Sequence, residues 1–467
     1  MLHQNTYFWE ERNVNWKKFW LFGLILALGL FLVACGSGAT DNEPTAGEAA
    51  TSEPTAGEPA MEVTLRWRTR PDNQEEANVY NSVSQKLDAQ LEGITLVYEP
   101  GGSETASYQD VLKTEIGAGT APDVFWIPGT DVADFATRGL ILNFADLAAA
   151  TEGFNVNDFY PGPMFHLTYN PETGASGADS GALWGLPRDV STFALYLNLD
   201  LIQEAGAPDP RELAAAGEWN WENFLKVAQA VRGLGSDIFG YGANAWWGPY
   251  GVWMNAAGGG FFNADRTACN LDSAASLDGL KFQAGLYREY DVAVPYGEDS
   301  EGPFRAGKVA LFQNGRWATP GIRTVTFNWD VVELPKGPSG SAGNWLFWGT
   351  YAINAKTAHP AEAWKLVQAL TTAETQAEIS ALGTNIPSRV SQAALDAFLT
   401  FTPPANNQAF LNGLNDKPAT EGPLWAGSWP EYVPVMDAKV QALMTGSITP
   451  EDFAATVCSE ANKAFNR

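Results

Sequence analysis

EVTLRWR, residues Glu62–Arg68, alternates Val63, Leu65 and Trp67 with polar positions, the two-residue period of a strand. A polar turn, Thr69–Gln74, follows. Glu75–Glu92 then carries Tyr80, Val83, Leu87 and Leu91 at helical spacing until Gly93 ends it. ITLVYEP (Ile94–Pro100) reads as the next strand, SYQDVLKTEIGAG (Ser107–Gly119) as the next helix and DVFWIP (Asp123–Pro128) as the third strand. Strand, helix, strand, helix, strand predicts a parallel α/β sheet. Such sheets bind ligands at the loops beyond the carboxyl ends of their strands, here Thr69–Gln74, Gly101–Ser107 and Gly129–Asp134. The α/β mixture continues, with helices near Trp221–Leu234, Ser273–Tyr290, Ala361–Thr372, Glu431–Met444 and Pro450–Phe465. TFALYLN, KVALFQ, NWDVVELP and TYAINAK read as further strands.

Upstream of this region the pattern changes. Phe19–Ala34 is an uncharged apolar run preceded by Arg12, Lys17 and Lys18, shorter than the ~20 residues of a spanning helix. It ends in Leu32-Val33-Ala34-Cys35, which looks like a bacterial lipobox, with Cys35 as the lipidated residue; a short membrane anchor that happens to contain a cysteine is the alternative. Residues 35–60 repeat EPTAGE at Glu43–Glu48 and Glu53–Glu58 and have nothing to bury, so they read as a disordered acidic tether. Twenty-five such residues reach roughly 25–30 Å.

The chain has 28 Lys+Arg against 54 Asp+Glu, a formal charge of −26. A surface this acidic repels phosphate backbones, which argues against nucleic acid as a partner. His3, His166 and His359 are the only histidines, so no zinc set is visible, and no calcium-loop spacing occurs. GPFRAGKV (Gly302–Val309) lacks the Ser/Thr that a phosphate loop needs. No metal or cofactor is expected. Cys269 and Cys458 remain after Cys35, either as one disulfide or as two buried thiols.

Six blocks in order carry a resemblance: GAGTAPDVFWI (Gly117–Ile127), GLPRDVSTFALYLNLDLIQEAGAP (Gly185–Pro208), WNWENFLKVAQAV (Trp219–Val231), FRAGKVALFQNGRW (Phe304–Trp317), NWDVVELPKGPSG (Asn328–Gly340) and AINAKTAHPAEAWKLVQAL (Ala352–Leu370). From Met61 onward the chain resembles the extracellular solute-binding proteins of bacterial ABC importers, in their carbohydrate, maltose-binding-protein-like group. The resemblance implies a two-lobed, type II-like periplasmic-binding fold in the α/β class, with a ligand cleft and three hinge crossings. The apolar run and lipobox mark residues 1–34 as a signal peptide; the resemblance maps 61–187 plus 352–423 to lobe one, and 188–351 plus 424–467 to lobe two. Crossings would fall near Pro187–Ser191, Gly349–Ala352 and Pro423. It further implies a monomer, exported and lipid-anchored at the outer face of the cytoplasmic membrane, which delivers a carbohydrate to an ABC permease and performs no catalysis. Polyamine or glycerol phosphate is the alternative ligand. An exported glycoside hydrolase would also stack sugars on tryptophan, but no Trp-rich block here matches such a pattern.

A sugar offers C–H faces to aromatic rings and hydroxyl edges to planar polar groups. Of eighteen tryptophans only Trp9, Trp16 and Trp20 precede Cys35. Strand-end loops and the resemblance together nominate Arg70, Asp72, Asn73, Trp126 and Asp131 in lobe one, and Arg188 and Asp189 at the first crossing. In lobe two they nominate Trp246, Trp247, Trp253, Asn255, Gly259, Trp317, Trp345, Trp348 and Trp429. Core packing competes for Trp126, helix capping for Asp72 and plain surface exposure for Arg70 and Arg188. Trp219, Trp221 and Trp364 are assigned to cores.

Overall fold

The computed structural model describes residues 62–102, 108–264, 266–381, 383, 385–416, 419–420 and 425–466. The expected signal peptide, tether, Cys35 and the crossing at Pro423 lie outside these residues.

Eleven strands form two sheets among the described residues: β1 (Val63–Thr69), β2 (Ile94–Pro100), β3 (Val124–Pro128), β4 (Leu186–Ser191), β5 (Phe193–Asn198), β6 (Phe239–Ala243), β7 (Val309–Gly315), β8 (Trp329–Val332), β9 (Trp345–Ile353), β10 (Ile386–Pro387) and β11 (Ala419–Thr420). The first sheet runs β10-β4-β9-β3-β1-β2, with β11 also on β9; the second runs β6-β7-β5-β8. β1 pairs in parallel with β2 and β3, as the opening stretch predicts. β9 then joins antiparallel to both β3 and β4, so the first sheet is mixed.

The first helix, Gln74–Asp88, shows why the local sequence folds as it does. The Asn73 side chain accepts the Glu76 N–H at 2.9 Å, and Glu76 Oε2 accepts the Asp72 N–H at 2.8 Å, a reciprocal cap that satisfies two otherwise orphaned donors. Capping therefore falls to Asn73, and the Asp72 carboxylate is left out of it. Ala77, Tyr80, Val83, Ser84 and Leu87 form the buried face against β1, and Trp67 Nε1 donates to Ser84 Oγ at 2.9 Å.

β5 separates two cores by strand alternation. Phe193, Leu195 and Leu197 enter one cluster with helices Trp221–Arg232, Trp247–Ala256, Ala274–Arg288, Trp429–Met444 and Pro450–Phe465. Ala194 and Tyr196 enter the other, which continues through Phe410 into the first sheet's core. Each sheet with its helices is one lobe.

The chain leaves the first sheet at Thr192, between β4 and β5. It returns between Val332 and Trp345, because all nine residues of β9 belong to the first lobe's strand. The expected second crossing, Gly349–Ala352, falls inside β9. A further passage lies at 401–406: helix Gln392–Thr400 packs with β10, whereas Asn406 N and Nδ2 donate to Asp330 Oδ1 and the Val331 carbonyl of the second sheet. Among the described residues no helix is long and apolar enough to cross a membrane.

A disulfide joins Cys269 to Cys458 on helix Pro450–Phe465. It closes a loop with a sequence separation of 189. Replacing both cysteines by serine is expected to lower stability by about 2–4 kcal/mol, measured as an earlier urea midpoint; an unchanged midpoint would show that packing alone holds Cys269 there.

Candidate ligand-binding site

β9, WLFWGTYAI, carries both halves of the site. Over its first four residues its side chains alternate between the lobes: Trp345 and Phe347 enter the second lobe's core, while Leu346 and Trp348 pack with the first. Farther along, Tyr351, Ala352 and Ile353 all lie in the first lobe's core.

On the second lobe's side, four aromatic rings surround Phe347. Phe193 lies 4.6 Å from it, Trp317 5.4 Å, and Trp246 and Trp247 each 5.7 Å. Trp246 and Trp247 meet edge to face at 5.1 Å. All three indoles stay partly exposed, so they keep surface free while their orientation is fixed by packing. Two glycines allow this. A Cβ at Gly248 would lie 2.5 Å from the Trp246 ring, and one at Gly315 2.2 Å from the Trp317 ring.

On the first lobe's side the wall is polar. Arg188 is buried, and its Nε donates to Asp189 Oδ2 at 2.6 Å. Asn385 Nδ2 donates to the same carboxylate oxygen at 2.6 Å. The Arg188 guanidinium lies 5.1 Å from the Trp126 ring and 5.4 Å from that of Tyr80. Arg70 lies 5.2 Å from the Trp126 ring and 3.8 Å from Asp72. Two guanidiniums thus occupy the indole of Trp126, which is only 7 % exposed. What this wall presents is Arg70 and Asp72, each with about 30 % of its side chain open (32 % and 29 %). Arg70 Nε, Asn73 Nδ2 and Trp126 Nε1 are buried donors without a hydrogen-bond partner among the described residues, and Arg188 Nη1 has only the Glu76 carboxyl, at 3.9 Å.

Gly349 lets the two sides meet. A Cβ there would sit 1.9 Å from Trp126 Nε1, and one at Gly129 2.4 Å from the Trp348 ring. Trp348 stacks on His166 at 6.0 Å and 11°. Burial, with Arg266 adding to it, lowers the His166 pKa to about 4, so that imidazole is neutral. Asp131 is buried, accepts Gln109 Nε2 at 3.3 Å, and is pushed up to about 6 by burial.

Other nominated residues are placed elsewhere. Trp253 is 2 % exposed, packed on Phe224 and Phe282, with Nε1 donating to Tyr241 at 3.2 Å. Trp345 is equally buried; its Nε1 donates to the Gly248 carbonyl at 2.9 Å and its ring stacks on Phe261. Trp345 supports the platform from within the core, edge to face with Trp247 at 5.4 Å, whereas Trp253 packs among other aromatics. Asn255 Nδ2 donates to the Gly343 carbonyl at 3.3 Å, and Gly259 lies so near Ser276 that a Cβ would meet its backbone N at 2.5 Å. These two positions serve helix packing. Trp429 supports Trp247 edge to face at 5.5 Å, and also lines a cavity of about 430 Å³ with Asp134, Arg138, Trp425 and Glu431.

Three participants escaped the sequence reading: Glu76, Phe347 and Asn385. Glu76 had a legible signal, an acidic residue three positions after the N-cap Asn73. Phe347 is marked only by the alternation of β9, and Asn385 by nothing local. Among the described residues, no group of three or more His, Cys, Asp or Glu could hold a metal.

A family model for bacterial extracellular solute-binding proteins matches residues 83–406. A galactooligosaccharide-binding protein of Bacillus subtilis is 23 % identical over 341 residues, covering 69 % of each chain. Among solved structures, an ABC substrate-binding protein from Listeria monocytogenes in complex with cycloalternan superposes with a TM-score of 0.76 at 17 % identity, over 86 % of this chain and 98 % of that one. UgpB from Mycobacterium tuberculosis in complex with glycerophosphocholine gives 0.73 at 17 % identity, over 86 % and 98 %.

Burial pushes the Glu76 carboxyl up to about 8, and the Arg188 charge, which acts in the other direction, does not undo it. The unfolded chain releases this proton in the usual glutamate range while the folded chain retains it. The stability that Glu76 contributes is therefore lost as pH rises from there through 8. Glu76→Gln keeps an acceptor for the Asp72 N–H and removes the titration. Its melting temperature relative to wild type is expected to be higher at pH 8.5 than at pH 5, each unit of displacement being worth about 1.4 kcal/mol; parallel melting curves at both pH values would contradict a buried, neutral Glu76.

Proposed function

Because the chain belongs to the bacterial extracellular solute-binding proteins, we propose that it captures a sugar or oligosaccharide and delivers it to an ABC permease. The observation that carries this reading is the pairing on β9 of three partly exposed indoles, Trp246, Trp247 and Trp317, with a wall of Arg70, Asp72, Arg188 and Asp189. Indole faces match the C–H faces of a sugar, and the open parts of the Arg70 guanidinium and the Asp72 carboxylate match its hydroxyls. The lobes close by rotation about the segments at Thr192, 333–344 and 401–406, and ligand contacts on both walls shift the population toward the closed form. The protein is a monomer that performs no chemistry. Cys35 carries the lipid, residues 36–60 tether the domain, and the assembly sits at the outer face of the cytoplasmic membrane.

A second reading is a glycerophosphodiester or related anion. The two guanidiniums at Trp126 favour it, as does the likeness to UgpB.

The test is a set of thermal melts and tryptophan-emission titrations on the full chain in detergent with mono- and oligosaccharides, glycerophosphocholine and polyamines. A compound at 100 times its Kd stabilises by about 2.7 kcal/mol. Stabilisation by one saccharide class without product on long incubation supports the first reading. Response to glycerophosphocholine alone selects the second, and cleavage of a saccharide overturns both. Trp247→Ala and Trp317→Ala are each expected to weaken the saccharide by tenfold or more, about 1.4 kcal/mol. Trp253→Ala serves as the contrast: it should lower the melting temperature, while the folded fraction still binds the saccharide.

A further inference from the structure

Arg316 precedes the platform residue Trp317, yet its side chain turns the other way, into the boundary between the lobes. It is 0 % exposed. Its guanidinium lies 5.2 Å from the ring of Phe398, 5.3 Å from Phe401 and 5.7 Å from Phe410. Nη1 donates to the Gly383 carbonyl at 3.0 Å, while Nε and Nη2 have no partner among the described residues. Among the described residues no carboxylate pairs with it, and burial lowers its pKa to about 10.

This site is part of a seam. Residues 316–323 belong to the second lobe, and Phe398 and Gly383 to the first. Arg323 covers Phe401 from a second direction at 4.2 Å. Gly383, at φ +96°, makes room for that ring, since a Cβ would approach it to 2.4 Å. Farther along the same segment, Gly321 packs against Asn73 of the first lobe, a Cβ there meeting Nδ2 at 3.0 Å. The backbone N of Arg316 donates to Ser191 Oγ at 3.2 Å, beside the Thr192 crossing.

A fully buried cation that has, among the described residues, no counter-ion and two nitrogens without a hydrogen bond is costly. Three aromatic rings return part of that cost, but water in an opened seam would return more. We propose that Arg316 is a positioning residue that biases the empty protein toward its open form, so that closure depends on ligand held at the neighbouring Trp317. The inference rests on the hinge reading and not on the identity of the ligand.

Arg316→Met and Arg316→Lys in the full chain test it without any ligand, by acrylamide quenching of tryptophan emission together with thermal melts. Methionine fills the cage without charge. It is expected to raise the closed population by about tenfold, about 1.4 kcal/mol, seen as reduced quenching of the platform indoles and a higher melting temperature. Lysine retains the charge and should leave both close to wild type. Unchanged or greater quenching in Arg316→Met, a lowered melting temperature, or equal effects of Met and Lys would each overturn the proposal. A saccharide panel without hits would leave this result standing, because no saccharide enters the measurement.

Discussion

Everything at the site depends on β9. A strand sends successive side chains to opposite faces, and over Trp345–Trp348 of β9 those faces lie in different lobes. Phe347 anchors the indoles of the second lobe; its neighbours Trp348 and Gly349 touch Gly129 and Trp126 of the first. A one-residue slip would exchange the aromatic support for the polar wall. Close packing at Gly349 and Gly129 excludes that slip, because any other residue at either position would overlap an indole.

The polar wall is held together by compensation rather than exposure. Arg188 is removed from water but retains Asp189 at hydrogen-bond distance, and Asn385 fixes Asp189 in turn. Glu76, in the same cluster and 3.9 Å from Arg188, is pushed up to about 8 by burial and serves as a cap. The charge that remains to meet a ligand is thereby reduced to the Arg70–Asp72 pair, with the two groups at 3.8 Å and each partly open. A net charge of −26 over the whole chain therefore says little about this wall. Screening over about 8 Å at physiological salt isolates it from distant surface carboxylates.

Tryptophan divides into two kinds here. Trp253 and Trp345 spend their ring faces on other aromatics and their N–H groups on protein acceptors. Trp246 and Trp247 meet edge to face and both lie tilted on Phe347, Trp317 meets Phe347 edge to face, and all three retain open surface. Both kinds are needed. A rigid platform requires neighbours that cannot move, and Trp345 and Trp429 flank Trp247 edge to face at 5.4 and 5.5 Å.

The sequence by itself determined the elements and the family. The alternation in Glu62–Arg68, the helical spacing that follows and six ordered blocks are local properties that survive without coordinates. A cap before that helix is local too, although the sequence pointed to Asp72 and the structure gives the role to Asn73. The candidate list also contained Trp247, Trp317, Arg70 and Arg188, because loops after strands and NGRW-like blocks are legible as text. Only the tertiary structure decided which tryptophans keep a free face, since exposure depends on partners such as Phe261 and Phe347 that lie dozens of residues away. It likewise joined Cys269 to Cys458, moved the second crossing to the amino-terminal side of β9, and placed Asn385 beside Asp189. Each of these is a contact between distant parts of the chain, and periodicity carries information only about near ones.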